Sequence, residues 1–151
     1  MNRTDLLVSL RYRRTLTLLI LAILTLGIYL AHYARRQTIV LNAYLTVERR
    51  IPIALPNVLL LFGYGSLAIF VPYLFLDEDH ILGTIDAYVS YAFVILMTFW
   101  GYVARSRMNY LNDATRLSLD WFNLLWSMLL SPYYFNFKVN RLAKRLGVSN
   151  D

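Results

Sequence analysis

The 151-residue chain contains no cysteine. Disulfides, thiol nucleophiles and thiolate metal sites are therefore excluded, and nothing follows about redox compartment. Histidine is almost as scarce. His32 and His80 stand far apart, neither has a His or Glu at helical spacing, and a metal site needs three or four ligands. Both read as interfacial polar residues, and no cofactor is expected. No nucleophile–base pair at catalytic spacing emerges from the Ser and Thr residues, so the reading is not an enzyme. Charge is also thin: 16% of residues are Asp, Glu, Lys or Arg, too few to cover one soluble core of this size.

Apolar residues fill that gap. They make up 58% of the chain, and the mean hydropathy is +0.48. They gather in four uncharged runs, with hydrophobic segments at about 15–34, 51–76, 84–104 and 119–137. At 1.5 Å per residue the uncharged stretches reach roughly 30, 39, 27 and 26 Å, against about 30 Å of hydrocarbon. The expected fold is all-α, a single integral membrane bundle over residues 1–151. Its second and third segments cross the bilayer; the outer two are open to being re-entrant or half-inserted. Gly27 and Pro132 each stand near an end of one of those outer runs. The first run has a basic leader and an Arg13-Arg14 pair, but Tyr29, His32 and Tyr33 stand where a small-x-small cleavage site would be. It reads as a retained membrane segment rather than a signal peptide.

The formal net charge is +6, and its placement is informative. The bases flank long apolar runs, a pattern of membrane proteins on anionic headgroups rather than of nucleic-acid binders. The Asp77-Glu78-Asp79-His80 loop holds no base at all. If all four runs cross with the N-terminus inside, eight bases lie inside and seven outside, contrary to the positive-inside tendency. If only runs two and three cross, all 15 lie inside. Charge favours the second arrangement and the length of run one the first, so both stay open. Either way the termini are expected on the cytoplasmic side. The residues expected on anionic headgroups are Arg35, Arg36, Arg49, Arg50, Arg105, Arg107, Lys138, Arg141, Lys144 and Arg145.

A similar stretch follows three of the runs: His32 to Gln37 before Leu41-Asn42, Tyr102 to Arg107 before Leu111-Asn112, and Phe137 to Leu142 before Leu146. An internal duplication of runs one and two in three and four would explain the recurrence. In the last stretch Phe135, Val139, Leu142 and Leu146 share one helix face, which predicts an amphipathic basic helix over about 135–147. Such a helix suits the headgroup plane, apolar face down, or serves as a stop-transfer flank.

Asp86 and Asp120 are the acids nearest the membrane. With Tyr64 they would line a transport path. The plainer expectation is that each opens a helix, where a carboxylate gains about 0.3–1 kcal/mol from the dipole. Gly63-Tyr64-Gly65-Ser66 echoes a potassium filter but lies inside an apolar run. There Gly63, Gly65 and Ser66, like Gly27, read as close-packing positions, with Pro56 and Pro72 as bracketing kinks. Tyr29, Tyr33, Tyr73, Trp100, Tyr102, Trp121, Tyr133 and Tyr134 fall near run ends, as an aromatic belt would.

Thr25-Leu26-Gly27-Ile28-Tyr29, followed by Arg35-Arg36 and Leu41-Asn42, resembles a motif of bacterial membrane families of unknown function. In them Thr-Leu-Gly-Ile-Tyr closes the first apolar segment. Ile51-Pro52, Tyr134 and Asn140-Arg141-Leu142 fit the same outline; where those families carry Trp a few residues on, this chain has Ala31-His32-Tyr33. The resemblance implies a small multi-pass protein of the bacterial cytoplasmic (inner) membrane and brings no catalytic residue with it. The expected function is a non-enzymatic scaffold or accessory subunit on anionic lipid, in a homo-oligomer or a larger membrane complex, without nucleic acid. The alternative is a small oligomeric transporter, channel or lipid-handling protein.

Overall fold

A computed structural model describes residues 3–76 and 81–147. The acidic loop Asp77-Glu78-Asp79-His80 lies outside the described residues. The described chain is all-helical: α1 (Arg3–Leu10), α2 (Thr15–Leu24), α3 (Ile28–Tyr44), α4 (Ala54–Tyr73), α5 (Ile81–Leu111), α6 (Leu124–Leu129) and α7 (Tyr133–Arg145), with one 3-10 turn at Val47–Arg49.

Two stretches, Val47–Tyr73 and Ile81–Leu111, are long and apolar enough to cross a membrane, with mean hydropathies of 1.9 and 1.6. Only 17% and 6% of their most apolar windows are buried. The core helix of a soluble protein would be mostly buried, so these helices instead offer apolar surface outward. Burial divides each helix in two. On α4 the buried residues are Pro56, Leu59 and Gly63, all in its first half; on α5 they are Met97, Trp100, Gly101, Ala104, Met108 and Asn109, all in its second. One end of the hairpin is therefore packed, and at the other Val71, Leu74, Phe75, Ile81, Tyr88 and Tyr91 are exposed.

The packed end is a cap built by α1, α3, α7 and the second half of α5. Leu6, Leu7 and Leu10 of α1, Leu41 of α3, Trp100 and Met108 of α5, and Phe122 are fully buried there. Every base whose side chain is described belongs to this cap or its connections.

Runs one and four do not form continuous helices. Run one breaks at Thr25-Leu26-Gly27, where Leu26 (φ 49°) and Gly27 (φ 89°) take left-handed conformations. The Gly27 N–H reaches back to the Ala22 carbonyl at 2.8 Å and the Leu26 N–H to that of Ile23 at 3.2 Å, a Schellman termination of α2. The Thr25 hydroxyl joins the two helices: it donates to the Leu21 carbonyl at 2.7 Å and accepts the Tyr29 N–H at 3.0 Å. Gly27 lies against the Phe93 ring, and Ile28 against Gly63 of α4. From there α3 runs beside α5 toward the cap, with Trp100 Nε1 donating to Thr38 Oγ1 at 2.9 Å. Run four is α6, a break at 130–132, then α7; the Ser131 hydroxyl donates to the Met97 carbonyl at 3.2 Å. Segments 15–34 and 119–137 are thus helix–break–helix units. α2 and α6 are about 15 and 9 Å long, half or less of a bilayer core.

The expected headgroup helix is present, but its apolar face is turned into protein. Phe135, Val139 and Leu142 are 1–2% exposed, packed with α1, α2 and α5 rather than free to enter lipid. Leu146, assigned to the same face, is exposed because α7 ends before it. Pro56 stands in the first turn of α4, where the bond it lacks has no intrahelical partner anyway, and Pro72 in the last. They bracket Gly63-Tyr64-Gly65-Ser66 as expected, but from the two ends of α4.

Candidate functional site

Polar side chains, chiefly Asn and Gln, hold the cap together. Asn42 grips the main chain at Ile51 from both sides, donating Nδ2 to its carbonyl and accepting its N–H, each at 2.8 Å. Asn109 does the same at Phe122, accepting the N–H at 2.7 Å and donating to the carbonyl at 3.1 Å. Each clamp ties the end of a basic helix to the entry of the next apolar segment. The recurrence seen in the sequence is therefore a shared device, but its register is shifted: Asn109, not Asn112, corresponds to Asn42. Asn112 is half-buried, and the two buried polar atoms of its side chain have no partner among the described residues. Asn136 accepts from the Tyr33 hydroxyl at 3.2 Å and donates to the Arg13 carbonyl and the Thr15 hydroxyl at 3.0 and 3.1 Å. Gln37 and Arg36 satisfy the last carbonyls of α1, donating to Leu10 at 2.9 Å and Ser9 at 3.2 Å.

These bonds shape a groove of about 390 Å³ between the α1–α2 connection and α3, within the usual range of ligand pockets of about 300–1,000 Å³. Tyr29, His32, Tyr33, Arg36 and Val40 line it at i, i+3, i+4, i+7 and i+11, one face of α3, joined by Arg35, Ile39 and Tyr12. The Arg36 guanidinium lies over the Tyr12 ring at 4.2 Å, and that of Arg13 approaches the same ring at 5.3 Å. Arg36 Nη1 is buried without a hydrogen-bond partner among the described residues, while Tyr29 shares side-chain hydrogen bonding with Tyr12 and Arg13. His32 Nε2 meets Tyr64 Oη at 2.9 Å, and Arg35 Nε donates to Asn57 Oδ1 at 3.1 Å, so α4 forms the neighbouring wall.

The other expected headgroup contacts fall into two sets. Arg50, Arg141, Lys144 and Arg145 are exposed. Arg49 stacks over Tyr110 at 4.0 Å; Arg105 donates to the Phe122 carbonyl at 2.8 Å and lies 5.1 Å from the Trp121 ring centre. Arg107 is half-buried. Lys138 turns inward to the Leu119 carbonyl at 2.7 Å, and burial, then Arg141 and Arg145, pushes its pKa below the ordinary lysine value.

The three residues expected on one transport path do not meet. Asp86 accepts from Ser66 at 2.6 Å, with Ser90 3.3 Å from the same hydroxyl, near the exposed end of the hairpin. Tyr64 pairs with His32 instead. Asp120 lies in the connection before α6, beyond the other end of α5. Neither acid occupies a described first helical turn, so the dipole expectation fails for both.

Two expected structural roles also shift. A Cβ at Gly63 would stand in ordinary contact with Phe93 and Ile28, 3.5–3.7 Å away, but among the described residues nothing beyond its own helix backbone and chain neighbours lies within 4 Å of where a Cβ at Gly65 would stand. The tightest contact is at Gly101, which was not singled out: a Cβ there would collide with the Ser131 side chain and come within 2.6 Å of the Ser127 carbonyl. Of the aromatic belt, Trp100 and Tyr33 are instead core residues, 0% and 2% exposed. Nothing in composition marked the Asn clamps or Gly101, because their partners lie on other elements. No family model, curated protein or solved structure matches the chain.

Proposed function

We propose that this chain is a non-enzymatic membrane scaffold or accessory subunit of the bacterial cytoplasmic membrane, with both termini on the cytoplasmic side. In this reading α4 and α5 span the bilayer, and the α2–α3 and α6–α7 units enter it partway and turn back. One observation carries the reading. The described bases lie in or beside the packed cap at one end of a hairpin whose other end is bare apolar surface. Depth along α5 supports the partial insertion. From Arg105, the break after α2 at Phe93 lies about 18 Å inward, and the break after α6 at Met97 about 12 Å. Both fall short of about 30 Å of hydrocarbon. The exposed apolar residues of α2 (Leu16, Ile23, Leu24) and α6 (Leu125, Leu129) then face lipid.

A scaffold acts through contacts with other chains. Crosslinking in native membranes, followed by extraction in mild detergent, tests the proposal. It predicts a recovered homo-oligomer or heteromeric complex; a lone monomer with no crosslinked neighbour would count against it. The transport alternative rests on the Ser66–Asp86–Ser90 contact, a carboxylate held between the two spanning helices. Flux in proteoliposomes unchanged by Asp86→Asn would remove that role.

A further inference from the structure

We propose that the groove between the α1–α2 connection and α3 binds a phosphate-bearing anion, presented as the headgroup of an anionic phospholipid. The inference rests on the membrane reading above and makes it specific: one seated lipid rather than a diffuse basic surface.

Three observations converge. The groove gathers guanidinium groups with no carboxylate in its lining: Arg35 and Arg36 line it, and Arg13 stands over Tyr12 at its edge. Arginine forks suit phosphate oxygens, and Tyr hydroxyls add neutral donors. Arg36 Nη1, moreover, is buried and has no hydrogen-bond partner among the described residues. A buried unpaired donor is destabilising, the more so when charged, and an anion in the groove would supply the acceptor. Arg36 is also held from behind, by the Ser9 carbonyl through Nη2 and by the Tyr12 ring, so its remaining fork is fixed in place.

The third observation is the position of the groove. Its floor, α3, rises from the Gly27 turn beside Phe93 toward the cap, which puts Arg36 near the cytoplasmic end of the spans. Ile39, 49% exposed, and Val40 supply an apolar edge where a glycerol backbone and acyl chain would leave. A soluble phosphate needs no such edge, and this favours the lipid.

Native mass spectrometry of the detergent-purified protein tests the assignment, using phosphatidylglycerol, phosphatidylcholine and inorganic phosphate as probes. The wild type should retain phosphatidylglycerol at least tenfold better than phosphatidylcholine. Arg36→Gln should lower that retention at least fivefold. Arg145→Gln, which removes the same charge from the exposed face of α7, should change it less than twofold. Tyr29→Phe deletes one hydroxyl from the groove lining and keeps the ring in place, and it should lower retention two- to threefold.

Equal losses in Arg36→Gln and Arg145→Gln, with none in Tyr29→Phe, would overturn the site. Displacement of the lipid by millimolar inorganic phosphate would overturn the headgroup assignment in favour of a soluble anion. Alkaline carbonate washing of the source membranes separates the two levels of failure. Protein released by the wash defeats the membrane reading itself, whereas retained protein without lipid preference defeats the groove alone.

Discussion

Gly101 and the Asn clamps show how few residues decide whether the cap closes on the hairpin. At Gly101 an added methyl would meet the Ser131 side chain and the Ser127 backbone, and backbone cannot swing aside. Gly101→Ala should therefore cost about 1–3 kcal/mol, the usual range for overpacking. Gly65→Ala, with open space around it, should stay within about 0.5 kcal/mol or stabilise through helix propensity. Denaturant unfolding in detergent, followed by far-UV circular dichroism, would compare them; equal losses would contradict the packing account. The clamps make a second contrast. Asn42→Ala strips partners from the N–H and carbonyl of Ile51, and Asn109→Ala strips the partner of the Phe122 N–H. Each should destabilise by about 1–3 kcal/mol. Asn112→Leu, which removes a buried amide that has no partner among the described residues, should be neutral or stabilising in the same assay.

α7 shows what periodicity reveals about an element and what it withholds. Spacing of Phe135, Val139 and Leu142 announced a helix with one apolar face, and the observed Tyr133–Arg145 lies close to the expected 135–147. The same spacing is silent on what covers that face, because α1, α2 and lipid all satisfy it equally. Asn136 belongs to the hidden side too, although its type suggested a polar surface; its amide is bonded to Arg13 and Thr15. Val139→Asp separates the two coverings. Buried against protein, the carboxylate should unfold the cap, making residues 133–145 protease-sensitive, while α4 and α5 keep the chain resistant to carbonate extraction. Loss of membrane association with an intact cap would instead mean that α7 is a lipid anchor. The breaks in the outer runs were half legible. Gly27 signalled the first, and Thr25 and Leu26 complete it through bonds that only the folded turn reveals.

The whole molecule reads as a trade between helix length and charge side. Length alone makes run one, at about 30 Å if unbroken, as good a span as run three. Charge alone keeps all 15 bases on one side. In the proposed topology the break at Gly27 makes the two compatible, since the chain turns there and brings Arg36 back to Tyr12 and Arg13 at the same end of the molecule. The two long apolar helices, α7 and the clustering of the bases were legible because they depend on local composition. The groove was not, since Tyr12 and Arg36 lie 24 positions apart in the numbering and meet only after α2 has folded back.

Because the chain has no native cysteine, single introduced cysteines report their side of the membrane without background. The most direct measurement is labelling by a membrane-impermeant maleimide of Arg50→Cys, Arg116→Cys, Arg145→Cys and Leu76→Cys, in intact cells and in inverted vesicles. With two spans and a cytoplasmic cap, positions 50, 116 and 145 should react only in inverted vesicles and position 76 only in intact cells. Labelling of positions 50 and 116 in intact cells, with 76 reached only in inverted vesicles, would mean that all four runs cross and would contradict that arrangement.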